Sequence, residues 1–94
     1  MDRETYLRKL HYRAHHRGTR EADAIIGGFF DHGRHRWSES DFAWFEALLD
    51  QQDVDIVGWA MRTKAVPDAW QGGMMDALQQ LDYIILPSGL RPAS

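Results

Sequence analysis

The stretch Trp37–Asp50, WSESDFAWFEALLD, carries the clearest local folding signal in this chain. Ser38 has the side chain of a helix N-cap, and Asp41 stands three residues on, a shorter relative of the Glu that usually closes a capping box. Trp37 and Phe42 occupy the positions before the cap and in the second turn where two apolar side chains staple a helix entrance. Phe42, Phe45, Leu48 and Leu49 then recur at helical spacing and define one apolar face. The stretch predicts a helix with a sharp start.

Helical spacing continues on both sides, and no run alternates with the period of a strand. Upstream, Tyr6, Leu7, Leu10 and Ala14 form one stripe. Gly18 then stands where a helix commonly stops, because Gly enters the left-handed region without a Cβ clash. A second helix is expected from about Thr19, with Glu21 and Asp23 in or near a first turn that favours negative charge. Its apolar face is Ile25, Ile26, Phe29 and Phe30, and it should stop by Gly33. Gly27 and Gly28 interrupt it and are read as places where a neighbouring element comes close. Downstream, Asp53 is expected to cap a short helix, VDIVGWAM. Asp68, after the break at Val66-Pro67, is expected to cap a fifth helix running through Trp70, Met74, Leu78 and Leu81. The expected fold is all-α, a compact bundle of about five short helices. One domain spans residues 1–86, with a flexible tail at 87–94, PSGLRPAS.

Bulk properties narrow the function. The chain has 94 residues, 44% hydrophobic and 12% aromatic, which suits one folded domain with a thin core and little room for an internal catalytic pocket. It has no cysteine, so disulfides, thiolate catalysis and Cys-held metal centres are excluded. No apolar run approaches the ~18–20 residues that cross a bilayer, and the opening MDRETYLRKL lacks the pattern of a secretory or organelle leader. The expected location is the cytoplasm. Charge is unevenly spread. Residues 1–36 hold eight Lys/Arg against five Asp/Glu and all five histidines, while residues 37–94 hold three against nine. A basic pole therefore sits at one end of an acidic chain of pI about 5.9, better matched to an acidic protein surface than to a nucleic-acid backbone.

Catalytic patterns are missing. The serines lie in a cap, a first helical turn and the tail, and the Gly pairs at 27–28 and 72–73 have neither a preceding strand nor a Lys-Ser/Thr. His11 and His15, four apart, would share a helix face, but Tyr12 stands where zinc proteases place Glu. A third ligand would have to come from His32, His35 or a distant carboxylate, and no metal is expected. Arg8, Lys9, Arg13, Arg17 and Arg20, interleaved with Tyr6 and Tyr12, keep one alternative open: a small helical nucleic-acid-binding or adaptor domain using this basic pole.

The stretch His15–Asp23, HHRGTREAD, is poorly explained by core packing. The order RGTRE (Arg17–Glu21), AD (Ala22–Asp23), FFDH (Phe29–His32), the Ser-capped helix ending in Leu-Leu, and DVDIVGW (Asp53–Trp59) closely resembles the SdhE family. These are small succinate dehydrogenase assembly factors, assembly factor 2 in mitochondria, with an RGxxE motif between their first two helices. The resemblance covers roughly residues 6–83. It implies a five-helix protein that is not an enzyme. Its partner would be the flavoprotein subunit of succinate dehydrogenase, and in some bacteria that of fumarate reductase. It would promote covalent attachment of FAD to a histidine of that subunit, FAD being the client's cofactor and none being held stably by the factor. Arg17, Gly18 and Glu21 match the motif and would form the contact surface, with His16, Arg20, Asp23, Asp53 and Asp55 in support. A monomer without membrane insertion is expected. Thr19 stands where Met is usual, Ala22 where Leu is common and Val54 where Pro is usual; no charged motif residue is lost. Physically, Arg17 could offer a forked guanidinium to a partner, Gly18 would let a foreign backbone approach, and Glu21 would accept hydrogen bonds. That expectation requires the charges of this corner to be free of internal partners.

Overall fold

The computed structural model describes residues 2–84. Helix α1 runs Arg3–His15, α2 Arg20–Gly33, α3 Glu39–Leu49, α4 Asp53–Ala60 and α5 Gly73–Gln80, with a single 3-10 turn at Asp68–Trp70 before α5. Among the described residues there is no strand, so the all-α bundle stands. The expected domain end at 86 and tail at 87–94 lie outside the described residues.

Local chemistry sets most helix starts. Asp2 caps α1 by accepting from the Thr5 N–H at 2.8 Å, and those bonds hold its carboxyl below the usual range. Ser38 and Asp41 form the reciprocal capping box, the Asp41 N–H donating to Ser38 Oγ and the Ser38 N–H to Asp41 Oδ2. The staple is present too, with the Trp37 and Phe42 rings edge-to-face at 5.3 Å.

Two expected caps are corrected. Asp53 is the first residue of α4, and the cap before it is Gln52, which makes no side-chain cap bond. The Asp53 carboxylate is turned to Arg17 instead. Asp68 opens only the 3-10 turn, and α5 begins at Gly73 after a Gly72 with φ +144°. Trp70 is therefore not on the fifth helix. Its indole is half-buried beside Trp44 and Trp59, at 5.4 and 5.8 Å. Packing between these rings holds the turn that helical spacing alone would have continued. Leu81, also expected on that helix, is its C-cap, at φ +57°.

The core is apolar throughout. Helix α2 packs against α1 and α4, α4 against α5, and α1 touches α3. Phe30, Phe45, Ile26, Leu48, Ile56, Met75 and Leu78 are fully buried, and Phe29, Phe42 and Trp59 nearly so. Each large side chain buried this way contributes about 1.5–3 kcal/mol. Tyr83 closes one end, its hydroxyl donating to the Leu78 carbonyl at 2.7 Å, and burial pushes its phenol pKa upward.

At the end of α2 the Trp37 indole lies directly over Gly33, in the space a Cβ would occupy. That indole also touches Phe29, Phe30, Phe42 and Phe45. Gly33→Ala should therefore destabilise the protein by about 1–3 kcal/mol, since the overpacking outweighs the gain in helix propensity. A urea melt would measure it; unchanged stability would mean the indole can move freely.

Candidate functional site

The turn between α1 and α2 is built by backbone chemistry. After His15 the chain leaves the helix at His16, with φ −126° and ψ 60°. Gly18 takes φ +114°, a conformation that L side chains rarely adopt. Thr19 then caps α2, its hydroxyl accepting from the Ala22 N–H at 3.1 Å. Asp23, in the first turn of α2, accepts the Arg17 N–H at 2.6 Å and ties the loop to the helix it precedes.

The Arg17 guanidinium points inward. Its Nε donates to Asp53 Oδ1 at 2.8 Å and its Nη2 to the Gln51 carbonyl at 3.2 Å. The Arg17 side chain is only 11% exposed, and that of Asp53 30%. One turn earlier on α1, Arg13 Nη2 donates to Asp50 Oδ1 at 2.7 Å. Arg13 in the last turn of α1 and Arg17 just beyond that helix thus clamp the acidic junction between α3 and α4. The expectation of an outward guanidinium is corrected: most of the Arg17 charge is used at home. Its partner is Asp53, 36 residues away, and not Glu21 in its own motif.

The rest of the corner faces solvent. Gly18, Thr19, Arg20 and Glu21 are all exposed, and among the described residues no atom outside the glycine and its chain neighbours lies within 4 Å of a Cβ built on Gly18. Among the described residues, Arg20 and Glu21 have no ion-pair or side-chain hydrogen-bond partner. His16 is exposed and stacks on Tyr12 at 4.0 Å while its Nδ1 meets the Tyr12 carbonyl at 2.8 Å. The structure thus brings His16, Gly18, Arg20 and Glu21 onto one exposed corner, and sets Arg17, Asp23 and Asp53 beneath it. Asp55 lies elsewhere on α4, paired with Lys64. Tyr12 and the Asp50–Gln51 junction were not foreseen as parts of the site. A signal existed in the matching offsets of Arg13 with Arg17 and Asp50 with Asp53, four and three residues.

A protein-family model described as "flavinator of succinate dehydrogenase" matches residues 8–82. The chain belongs to this family. Its relatives include "Succinate dehydrogenase assembly factor 2, mitochondrial" of Dictyostelium discoideum, 30% identical over 76 residues, or 81% of this chain and 54% of that protein. The "FAD assembly factor SdhE" of Acetobacter pasteurianus is 31% identical over 61 residues, 65% of this chain and 56% of that one. A Meyerozyma guilliermondii assembly factor 2 is 31% identical over 83 residues, 85% and 62%. The chain spans about half the length of several curated relatives it matches, such as the first two. The flavinator family match takes in the whole α1–α2 corner and the α3–α4 junction that holds it. It lends nothing to the nucleic-acid or adaptor alternative. Three of the five basic residues behind that alternative, Arg8, Arg13 and Arg17, are moreover bound to this chain's own carboxylates. No helix among the described residues is long and apolar enough to cross a membrane.

Proposed function

We propose that this chain binds the flavoprotein subunit of succinate dehydrogenase and promotes covalent attachment of FAD to it, with no catalytic residue of its own. The observation that carries the reading is the exposed Glu21, without a partner among the described residues, beside Gly18 on a corner braced from below, in a chain of the flavinator family. Arg17 acts as the brace: by holding Asp53 and the Gln51 carbonyl it fixes where Gly18 and Glu21 point. Pre-ordering lowers the entropic cost of docking. Glu21 accepts hydrogen bonds from the client, Arg20 and His16 flank it, and Gly18 admits the client's backbone.

A binding protein accelerates a reaction it does not catalyse when it prefers the competent conformer of its client. FAD accordingly belongs to the client and the bond forms there. The factor works as a monomer in whichever compartment holds its client, the cytoplasm in a bacterium, and a fumarate reductase flavoprotein is a second client. Pull-down of co-expressed flavoprotein tests the surface. Glu21→Gln keeps shape and removes charge, and should weaken retention about tenfold or more, as expected for a charge-assisted bond lost at an interface. Retention equal to the unaltered chain would remove Glu21 from the contact.

A further inference from the structure

His11 and His15 lie on one face of α1, and the fold brings Asp31 of α2 against both. His15 Nε2 is 3.0 Å from Asp31 Oδ2, His11 Nε2 is 3.8 Å from Asp31 Oδ1, and the two imidazoles are 4.3 Å apart. All three donor atoms fall within 4.8 Å of one another. On sequence spacing alone the histidine pair lacks a third ligand; Asp31 supplies it.

The His15–Asp31 contact is a poor ion pair. His15 Nε2 is shielded from solvent and finds no hydrogen-bond partner among the described residues, although the carboxylate stands only 3.0 Å away. At that separation the failure is one of direction: the oxygen lies off the axis along which the nitrogen would donate. The imidazole lone pair points along that same axis. An ion seated there can reach both atoms, because two donors each ~2.0–2.1 Å from a metal lie ~3.0–3.4 Å apart. The His15 ring also rests directly over Gly27, where any Cβ would collide with it, so the backbone of α2 is shaped to receive the ring.

We propose that His11, His15 and Asp31 form a site for a divalent transition-metal ion, of which zinc is the natural probe. Two imidazoles and a carboxylate, with a remaining position open to water, suit zinc-like ions over calcium or magnesium, which prefer oxygen alone. The ion would join α1 to α2 one turn before the exposed corner. This inference is independent of the flavinylation reading, since the test uses the free protein.

Isothermal titration of the metal-free full chain with zinc should give one site. Asp31→Asn and His11→Gln, both at half-exposed positions, should each weaken it by at least about 10–100-fold while helical circular dichroism stays unchanged. His32→Gln and His35→Gln, outside the cluster, should leave the affinity as it is. Thermal melting gives a second readout: zinc at 100-fold its Kd should raise Tm by about 10 °C or more, an effect EDTA reverses. No heat of binding, equal affinity in Asp31→Asn, or an equal loss in His35→Gln would overturn the site.

Discussion

Replacing Asp53 with Ala should lower the melting temperature by about 10–20 °C. The substitution leaves the Arg17 guanidinium, 11% exposed, with only the Gln51 carbonyl among the described residues to satisfy it. Removing one partner of a fully buried pair costs about 3–5 kcal/mol; with Asp53 30% exposed and water able to reach that side, about 2–3 kcal/mol is expected. For a domain of this size each kcal/mol is worth roughly 4–8 °C. Arg17→Ala should cost a similar amount. The double variant Arg17→Met/Asp53→Leu should recover much of it, because no unpaired charge remains. A thermal melt followed by circular dichroism distinguishes this pair from an ordinary surface ion pair worth ~0–1 kcal/mol. Arg13→Ala provides the comparison, since Arg13 and Asp50 are far more exposed, at 40% and 71%. A drop of less than about 2 °C in Asp53→Ala, well under the shift that even 1 kcal/mol brings, would show that Arg17 is not the brace of the corner.

The second large effect falls on binding. Gly18→Arg should abolish capture of the flavoprotein while the helical signal stays close to that of the unaltered chain. At φ +114° any side chain strains the backbone, at a cost of about 1–3 kcal/mol. None of the described residues obstructs it within 4 Å, so the penalty falls on the turn and not on the core. Gly18→Ala separates two causes. It carries the same backbone strain with little bulk, so binding retained by Ala and lost by Arg means that the client's backbone comes close. Loss in both means that the shape of the turn is what the client reads. Full flavinylation with Gly18→Arg would contradict the proposed surface outright.

What could be read in advance divides along the range of the interaction. The start of α3 was legible because a capping box and a staple are complete within six residues, Trp37 to Phe42. The stop at Gly18 was legible because few other residues accept its φ. Asp53 and Asp68 were misread by the same local logic: a carboxylate before an apolar run looks like a cap whether or not a distant cation claims it. Arg17 claims Asp53 across 36 residues, and indole packing at Trp70 delays α5. The site suffered similarly. The motif marked the corner, but which of its charges face inward depends on the α3–α4 junction, and periodicity says nothing about that. The approach of Asp31 to two histidines on another helix was hidden for the same reason.

If the exposed part of this corner, Gly18 with Glu21, promotes flavinylation from outside the reaction, its effect must appear on the client. In-gel flavin fluorescence of the succinate dehydrogenase flavoprotein subunit, co-expressed with and without this chain, tests that most directly. The covalent flavin signal should rise with the chain, be lost with Gly18→Arg and be reduced with Glu21→Gln. Asp53→Ala, which takes away the partner of the Arg17 brace, should reduce the signal even at temperatures where that variant is still folded. Equal fluorescence with the chain, without it and with Gly18→Arg would contradict a role for the corner in flavinylation.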